Sequence, residues 1–332
     1  MEIIFLFPVF FCGCWTECVE DAIIAPMTFF KPHIQHNLYP SGWQDYALLD
    51  TGNGQKLERF GPYQFVRPEP QALWTPRLDS EIWQAADGRF VAAAEDSEKG
   101  GRWHLSDRLP ESWVLGFEEV RFHAMPTPFR HLGFFPEQSV HWQWCADQIE
   151  RFIAQHNRAP RILNLFAYSG VASLHAAAAG AEVTHLDASK KAVAQAFANR
   201  DLSGLESAPI RFITDDASRF VQRELRRERL YDGIILDPPK YGRGPKGEIW
   251  QLHEHLPQLL SDCVALLSED AAFLVATLYA IRTSTSAVHS ALADLLAGRT
   301  GTLQSGEIVI AEEGDQGRAI GQALYARWAS ET

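Results

Sequence analysis

Gly233-Ile234-Ile235-Leu236-Asp237-Pro238-Pro239-Lys240 decides the reading of this chain. Its first four residues form an uninterrupted apolar run, the signature of a strand buried on both faces of a parallel sheet. An acidic side chain follows. Two prolines then fix φ and withhold their N–H groups, so the chain must leave the sheet in a defined direction. Open α/β sheets hold ligands at the carboxyl ends of their parallel strands. Asp237 and the carbonyls beside it therefore offer acceptors to a cleft, suited to a planar or amine-bearing group.

Strand–helix alternation surrounds this stretch from Arg161 onward, as a parallel sheet requires. Strands are expected at 162–166, 182–186, 210–213, 233–236 and 273–277. Helices are expected at 171–179, 189–200, 220–229, 249–267 and 284–296, with a further one at 140–154. The runs 307–310 and 323–326 close the chain as an antiparallel pair. Residues 28–125 read as a smaller β-rich domain instead: short apolar runs alternate with turn signals such as Thr51-Gly52-Asn53-Gly54. Trp43, Trp74, Trp83, Trp103 and Trp113 supply its expected core, with a base-stacking surface as the second reading. The fold class is thus α/β, with domains at 28–125 and 126–332.

Residues 1–26 stand apart. The apolar run 3–11 is too short to span a bilayer, and Glu2 rather than a basic residue precedes it. They read as a non-native extension ahead of Met27 rather than a signal peptide. No membrane span and no metal-ligand spacing is expected. Cys145 and Cys263 are isolated and read as small buried hydrophobes. The chain of 332 residues carries a net charge of −12, which repels phosphate at long range. A nucleic-acid substrate would need a local basic face. The loop Lys240-Tyr241-Gly242-Arg243-Gly244-Pro245-Lys246-Gly247 offers one, although a mobile solvated loop has the same composition.

The first strand of the alternation runs into Ala167-Tyr168-Ser169-Gly170 and then a helix, a turn whose N–H groups suit a polar or anionic ligand. A dinucleotide pyrophosphate prefers more glycines, so a carboxylate or a bare nucleoside fits better and an NAD-dependent oxidoreductase is poorly supported. Asp187 ends the next strand about 17 residues past Gly170, near the ~20-residue spacing at which a carboxylate meets ribose hydroxyls. Asp216 ends the third strand, where it suits an adenine amine, and Ala217 leaves room beside the ring. Each aspartate alone also suits a helix cap.

Asn164-Leu165-Phe166-Ala167-Tyr168-Ser169-Gly170, Asp187-Ala188-Ser189, Asp215-Asp216-Ala217 and Asp237-Pro238-Pro239-Lys240 together resemble class I S-adenosylmethionine-dependent methyltransferases. The closest resemblance is to bacterial large-subunit ribosomal-RNA methyltransferases of the cytosine-C5 and guanine-N7 kind. Gly133-Phe134-Phe135-Pro136-Glu137-Gln138 is similar to an element of that family, with Glu137 where the family has Asp. The resemblance covers roughly 127–328. It implies a Rossmann-like seven-stranded sheet with a reversed last strand, and S-adenosyl-L-methionine as cofactor. It places Asp187 on the ribose, Asp216 on the adenine, the turn 168–170 on the methionine end, and Phe135 and Gln138 over the pocket. Asn164, Ala167, Ala188, Ser189 and Ala217 complete that expected cofactor set.

Methyl transfer from a sulfonium is an in-line displacement in which alignment supplies much of the rate, ~7–11 kcal/mol of the barrier. Asp237 and the Pro238 carbonyl are the expected orienting groups for the acceptor, with Lys240 on a phosphate or an acidic partner. Tyr241 suits stacking on a flipped base. Cytosine-C5 chemistry needs a cysteine thiolate, and the stretch 276–284, where the family carries it, has none. The expectation is therefore a cytoplasmic methyltransferase acting on RNA, ribosomal RNA foremost, at a nitrogen. The alternatives are a small-molecule or protein methyltransferase and a module that binds the cofactor without turnover. The sequence leaves a homo-oligomer open.

Overall fold

The computed structural model describes residues 34–93, 100–279, 281–314 and 316–331. The expectation for residues 1–26 lies outside the described residues. Seven short strands come first: β1 (Tyr46–Gly52), β2 (Gln55–Phe60), β3 (Tyr63–Pro68), β4 (Gly88–Ala92), β5 (Gly101–Leu105), β6 (Trp113–Phe117) and β7 (Val120–Ala124). One short helix, α1 (Ser80–Gln84), lies between β3 and β4. Strands β1 to β5 make one sheet in chain order, and β6 and β7 pair as a separate hairpin. Asn53 and Gly54 both take positive φ between β1 and β2, the turn chemistry a two-residue hairpin demands.

The alternating region follows: α2 (Ser139–His156), β8 (Arg161–Leu165), α3 (Val171–Ala178), β9 (Glu182–Asp187), α4 (Lys190–Leu202), β10 (Ile210–Thr214), α5 (Ala217–Arg226) and β11 (Gly233–Leu236). Then come β12 (Tyr241–Arg243), β13 (Ile249–Gln251), α6 (Leu252–Leu266), β14 (Phe273–Tyr279), α7 (Thr285–Leu295), β15 (Thr302–Ala311) and β16 (Ala319–Ala329). The seven-stranded sheet runs β10-β9-β8-β11-β14-β16-β15. Its first five strands are parallel and the closing pair is antiparallel, so the expected sheet is observed. Buried Leu163, Leu165, Ile234, Leu236 and Leu274 show why these runs are apolar throughout: helices cover the strands. A second core joins Phe60, Phe65, Trp113 and Phe122 of the β-rich part to Trp142 of α2 and Leu174 of α3.

Serine and aspartate set the helix starts. The side chains of Ser189, Asp216 and Ser284 accept from the backbone N–H of Ala192, Arg219 and Ala287. Ser284→Ala removes the cap of α7, whose residues do not line the Asp237 cavity, and should lower unfolding free energy by about 1 kcal/mol. Urea denaturation checks this, with no accompanying change in cofactor affinity.

Three expectations need correction. The helix expected at 220–229 is α5, which starts earlier because Asp216 caps it. The helix expected from Ile249 begins at Leu252, and Ile249–Gln251 is a strand. The loop 240–247 is accordingly no free loop. It opens a hairpin in which Tyr241 pairs with Gln251 and Arg243 with Ile249. The cause is tertiary: Trp250 is buried, its Nε1 donates to the Pro239 carbonyl at 2.6 Å, and its ring packs 5.0 Å from Phe166.

Candidate active site

Register brings the strand ends to one edge. Leu236 pairs with Leu165, Leu165 with Leu186, and Asp187 with Thr214. Phe166, Asp187, Asp216 and Asp237 therefore all emerge past the same edge. Chain order reverses between β8 and β11, which is where such a sheet opens a crevice.

The β8–α3 turn is strained. Phe166, Tyr168 and Gly170 take φ of 56°, 47° and 85°. Two aromatic residues in the left-handed region cost of order 1–3 kcal/mol each. Within the turn, Gly170 N donates to Ala167 O at 3.0 Å. Neighbours hold the turn in place: Ala167 N donates to Leu186 O at 3.0 Å, and Asn199 Nδ2 donates to Ser169 O at 2.9 Å. Asp187 receives Tyr168 N at 2.9 Å and Ser189 N at 2.8 Å. Burial raises its pKa, against the pull of those two backbone donors. Lone pairs remain on its half-buried carboxylate for hydroxyl donors.

Across the reversal, Gln138 Nε2 donates to Asp237 Oδ2 at 3.0 Å, and Thr277 Oγ1 donates to Gln138 Oε1 at 3.4 Å. Burial, and secondly the negative charge of Glu137, push Asp237 up to about 8 against that hydrogen bond. Glu137 is itself buried and its pKa is raised by burial. Burial, with the charges of Glu137 and Asp237, lifts the Tyr279 phenol as well. A protonated carboxyl thus sits where the chain leaves β11, ready to ionise in mildly basic solution or when a donor binds.

Phe135, Gln138, Asn164, Ala167, Tyr168, Ser169 and Asp237 line one cavity of about 70 Å³. Asn164 is fixed behind it, donating to Ser173 Oγ at 2.9 Å. The other sequence-derived residues lie outside this cavity. Gly170 is the N-cap of α3. Ala188 and Ser189 follow β9, and Asp216 and Ala217 follow β10 as the cap and first residue of α5. Pro238 is buried, whereas Lys240 is exposed at the start of the hairpin. The sequence reading left out Thr277 and Tyr279 and treated Glu137 only as a departure from a pattern, while Cys145 is buried as expected. Thr277 and Cys145 line the cavity. Among the described residues no helix is long and apolar enough to cross a membrane, and no cluster of three His, Cys, Asp or Glu forms a metal site.

A family model described as S-adenosylmethionine-dependent methyltransferase matches residues 77–277, more than half of the chain. The chain belongs to that family. Its cofactor is accordingly S-adenosylmethionine. A crystal structure of the SAM dependent methyltransferase from Agrobacterium tumefaciens is 47% identical, with a TM-score of 0.84 over 90% of this chain and 95% of that one. A SAM-dependent methyltransferase structure from Streptococcus mutans, at 15% identity and TM-score 0.65 over 87% of this chain and 76% of that one, shares the fold. "Ribosomal RNA large subunit methyltransferase K/L" of Shewanella baltica is 36% identical over 243 residues, 70% of this chain and 31% of that protein. The chain therefore spans about a third of the length of that curated relative.

Proposed function

We propose that this methyltransferase acts in the cytoplasm on RNA, ribosomal RNA foremost, and methylates a base nitrogen. The observation that carries the acceptor is Asp237, fixed by Gln138 beside a cavity without a usable thiol. Cys145 and Cys263 are the free cysteines among the described residues; both are buried, and burial raises both thiols far above neutral pH. Carbon-5 chemistry on cytosine would need a thiolate; a nitrogen does not. The substrate class is supported by the naming of the Shewanella relative and by Lys240, Arg243 and Lys246 on the hairpin beside the cleft.

S-adenosylmethionine supplies an electrophilic methyl on a sulfonium. The residues fit its polar groups. Asp187 has lone pairs for ribose hydroxyls, Asp216 at the next strand end suits the adenine amine with Ala217 beside the ring, and Ala188 and Ser189 follow the ribose carboxylate. The turn of Ala167, Tyr168, Ser169 and Gly170, with Asn164 behind it, suits the methionine end. Phe135 and Gln138 close over it. Asp237 accepts an N–H of the acceptor, points the nitrogen lone pair into the cleft and takes the proton released as the carbon–nitrogen bond forms. Pro238 holds the Asp237 backbone rigid, and Lys240 meets a phosphate at the rim.

Incubation with labelled S-adenosylmethionine and total RNA from a strain lacking the gene should label large-subunit ribosomal RNA on a base nitrogen. Absence of label from every RNA, with label on a small molecule or protein instead, would remove the substrate assignment.

A further inference from the structure

A row of rings runs from solvent to the cavity. Phe129 is 57% exposed and stacks on His131, centroids 5.8 Å apart and planes 19° apart. His131 lies 5.1 Å from Phe135 and meets Tyr168 edge-on at 5.5 Å. Phe135 reaches Tyr279 at 5.4 Å. Phe135 and Tyr168 line the same cavity as Asp237, so the row joins the rim to the reacting groups.

The β-rich part holds the outer end of this row in place. Trp103 Nε1 donates to Thr127 O at 2.8 Å and Phe129 O at 3.0 Å. Arg67 Nη1 donates to Arg130 O at 3.0 Å, while the same guanidinium is anchored on buried Glu58 at 2.6 Å. Thr127 closes the turn by donating to His131 O at 2.8 Å. Phe129 is therefore exposed on a pinned turn, in a fixed position. A phenyl ring held open to water this way loses its burial energy unless a ligand covers it.

We infer that Phe129, backed by His131, is the stacking platform for the nucleobase that is methylated. This rests on the RNA reading above. Every base has a π-face, and a base drawn from a helix needs a replacement for its lost stacking partner. Burial and the charges of Arg67 and Arg130 hold His131 down near about 4, so it is neutral at working pH. Arg67 is neutralised by buried Glu58, and the exposed Arg130 beside the platform suits a phosphate flanking a base.

The test compares Phe129→Ala and Phe129→Trp with the native chain in three measurements. The first is methyl transfer to ribosomal RNA. Here kcat/KM should fall about tenfold or more in the alanine variant and return in the tryptophan variant. The second is S-adenosylhomocysteine affinity by calorimetry, which should stay within about twofold. The third is quenching of 2-aminopurine riboside with S-adenosylhomocysteine present, which should be lost in the alanine variant only. Quenching that depends on Phe129 without transfer to any RNA would keep the platform and remove the RNA reading. Transfer and quenching both indifferent to Phe129, or cofactor affinity falling in step with transfer, would overturn the platform.

Discussion

Asp237→Asn is expected to lower the rate of methyl transfer by about a thousandfold, the middle of the range for losing a positioned proton acceptor. S-adenosylhomocysteine affinity should stay within about twofold, because the amide keeps the shape and the contact with Gln138. The pH dependence carries the sign. Asp237 accepts a proton only when ionised, and its pKa is pushed up to about 8. Native kcat/KM should therefore rise with pH to an inflection near 8, and the asparagine variant should lack it. Glu137→Gln removes a negative charge that raises Asp237, so its inflection should move to lower pH. Stability follows the opposite course. The folded pKa lies above the unfolded carboxylate value of roughly 4, so Asp237 costs stability as pH rises from about 4 to 8. Asp237→Asn should match the native protein in acid and be the more stable at pH above about 8. A native profile flat through that interval would sink the assignment.

Gly170→Ala is the second large effect. Its φ of +85° already disfavours a side chain, and an added Cβ would lie 2.7 Å from the Ala196 Cβ and 3.2 Å from its Cα. Helices α3 and α4 must part, or the strained turn must shift. Backbone strain and overpacking together should cost about 2–4 kcal/mol, and cofactor affinity should fall more than about tenfold. Gly204 is the control: its φ is +67° and nothing lies within 4 Å of a Cβ there. Gly204→Ala should cost only about 1 kcal/mol and leave binding intact. Equal losses in the two variants, measured by denaturation and calorimetry, would show that close packing at Gly170 is irrelevant.

The sheet was legible because both-face burial leaves an apolar signature that short-range patterning carries. Residues 233–236 and 273–277 read as strands for that reason, and the second runs on to Tyr279 in the structure. Strand-end aspartates were legible as candidates, since their position follows directly from the strands. The hairpin of β12 and β13 was not legible. Ile249, Trp250 and Leu252 fit a helical stripe, and only the distant Pro239 carbonyl and Phe166 ring turn them into a strand. The left-handed Phe166 and Tyr168 carry no sequence signal, because aromatic residues avoid that region on their own. The grouping of Glu137, Asp237 and Tyr279 draws on three separate elements, so no spacing along the chain announces it.

The segment before the first sheet has a part of its own. Leu38 bridges to Ile308, and its backbone exchanges hydrogen bonds with Glu307 and Val309, while His36 donates to Ser305. β15 is the outermost strand of the larger sheet and would otherwise present a row of bare peptide groups. The backbone of His36 lies so close over Gly306 that no larger residue fits beneath it. A few residues of extended chain thus act as a selvedge, denying neighbouring molecules a template on which to zip. Shortening the chain past Leu38 would bare that edge and make the protein prone to clump.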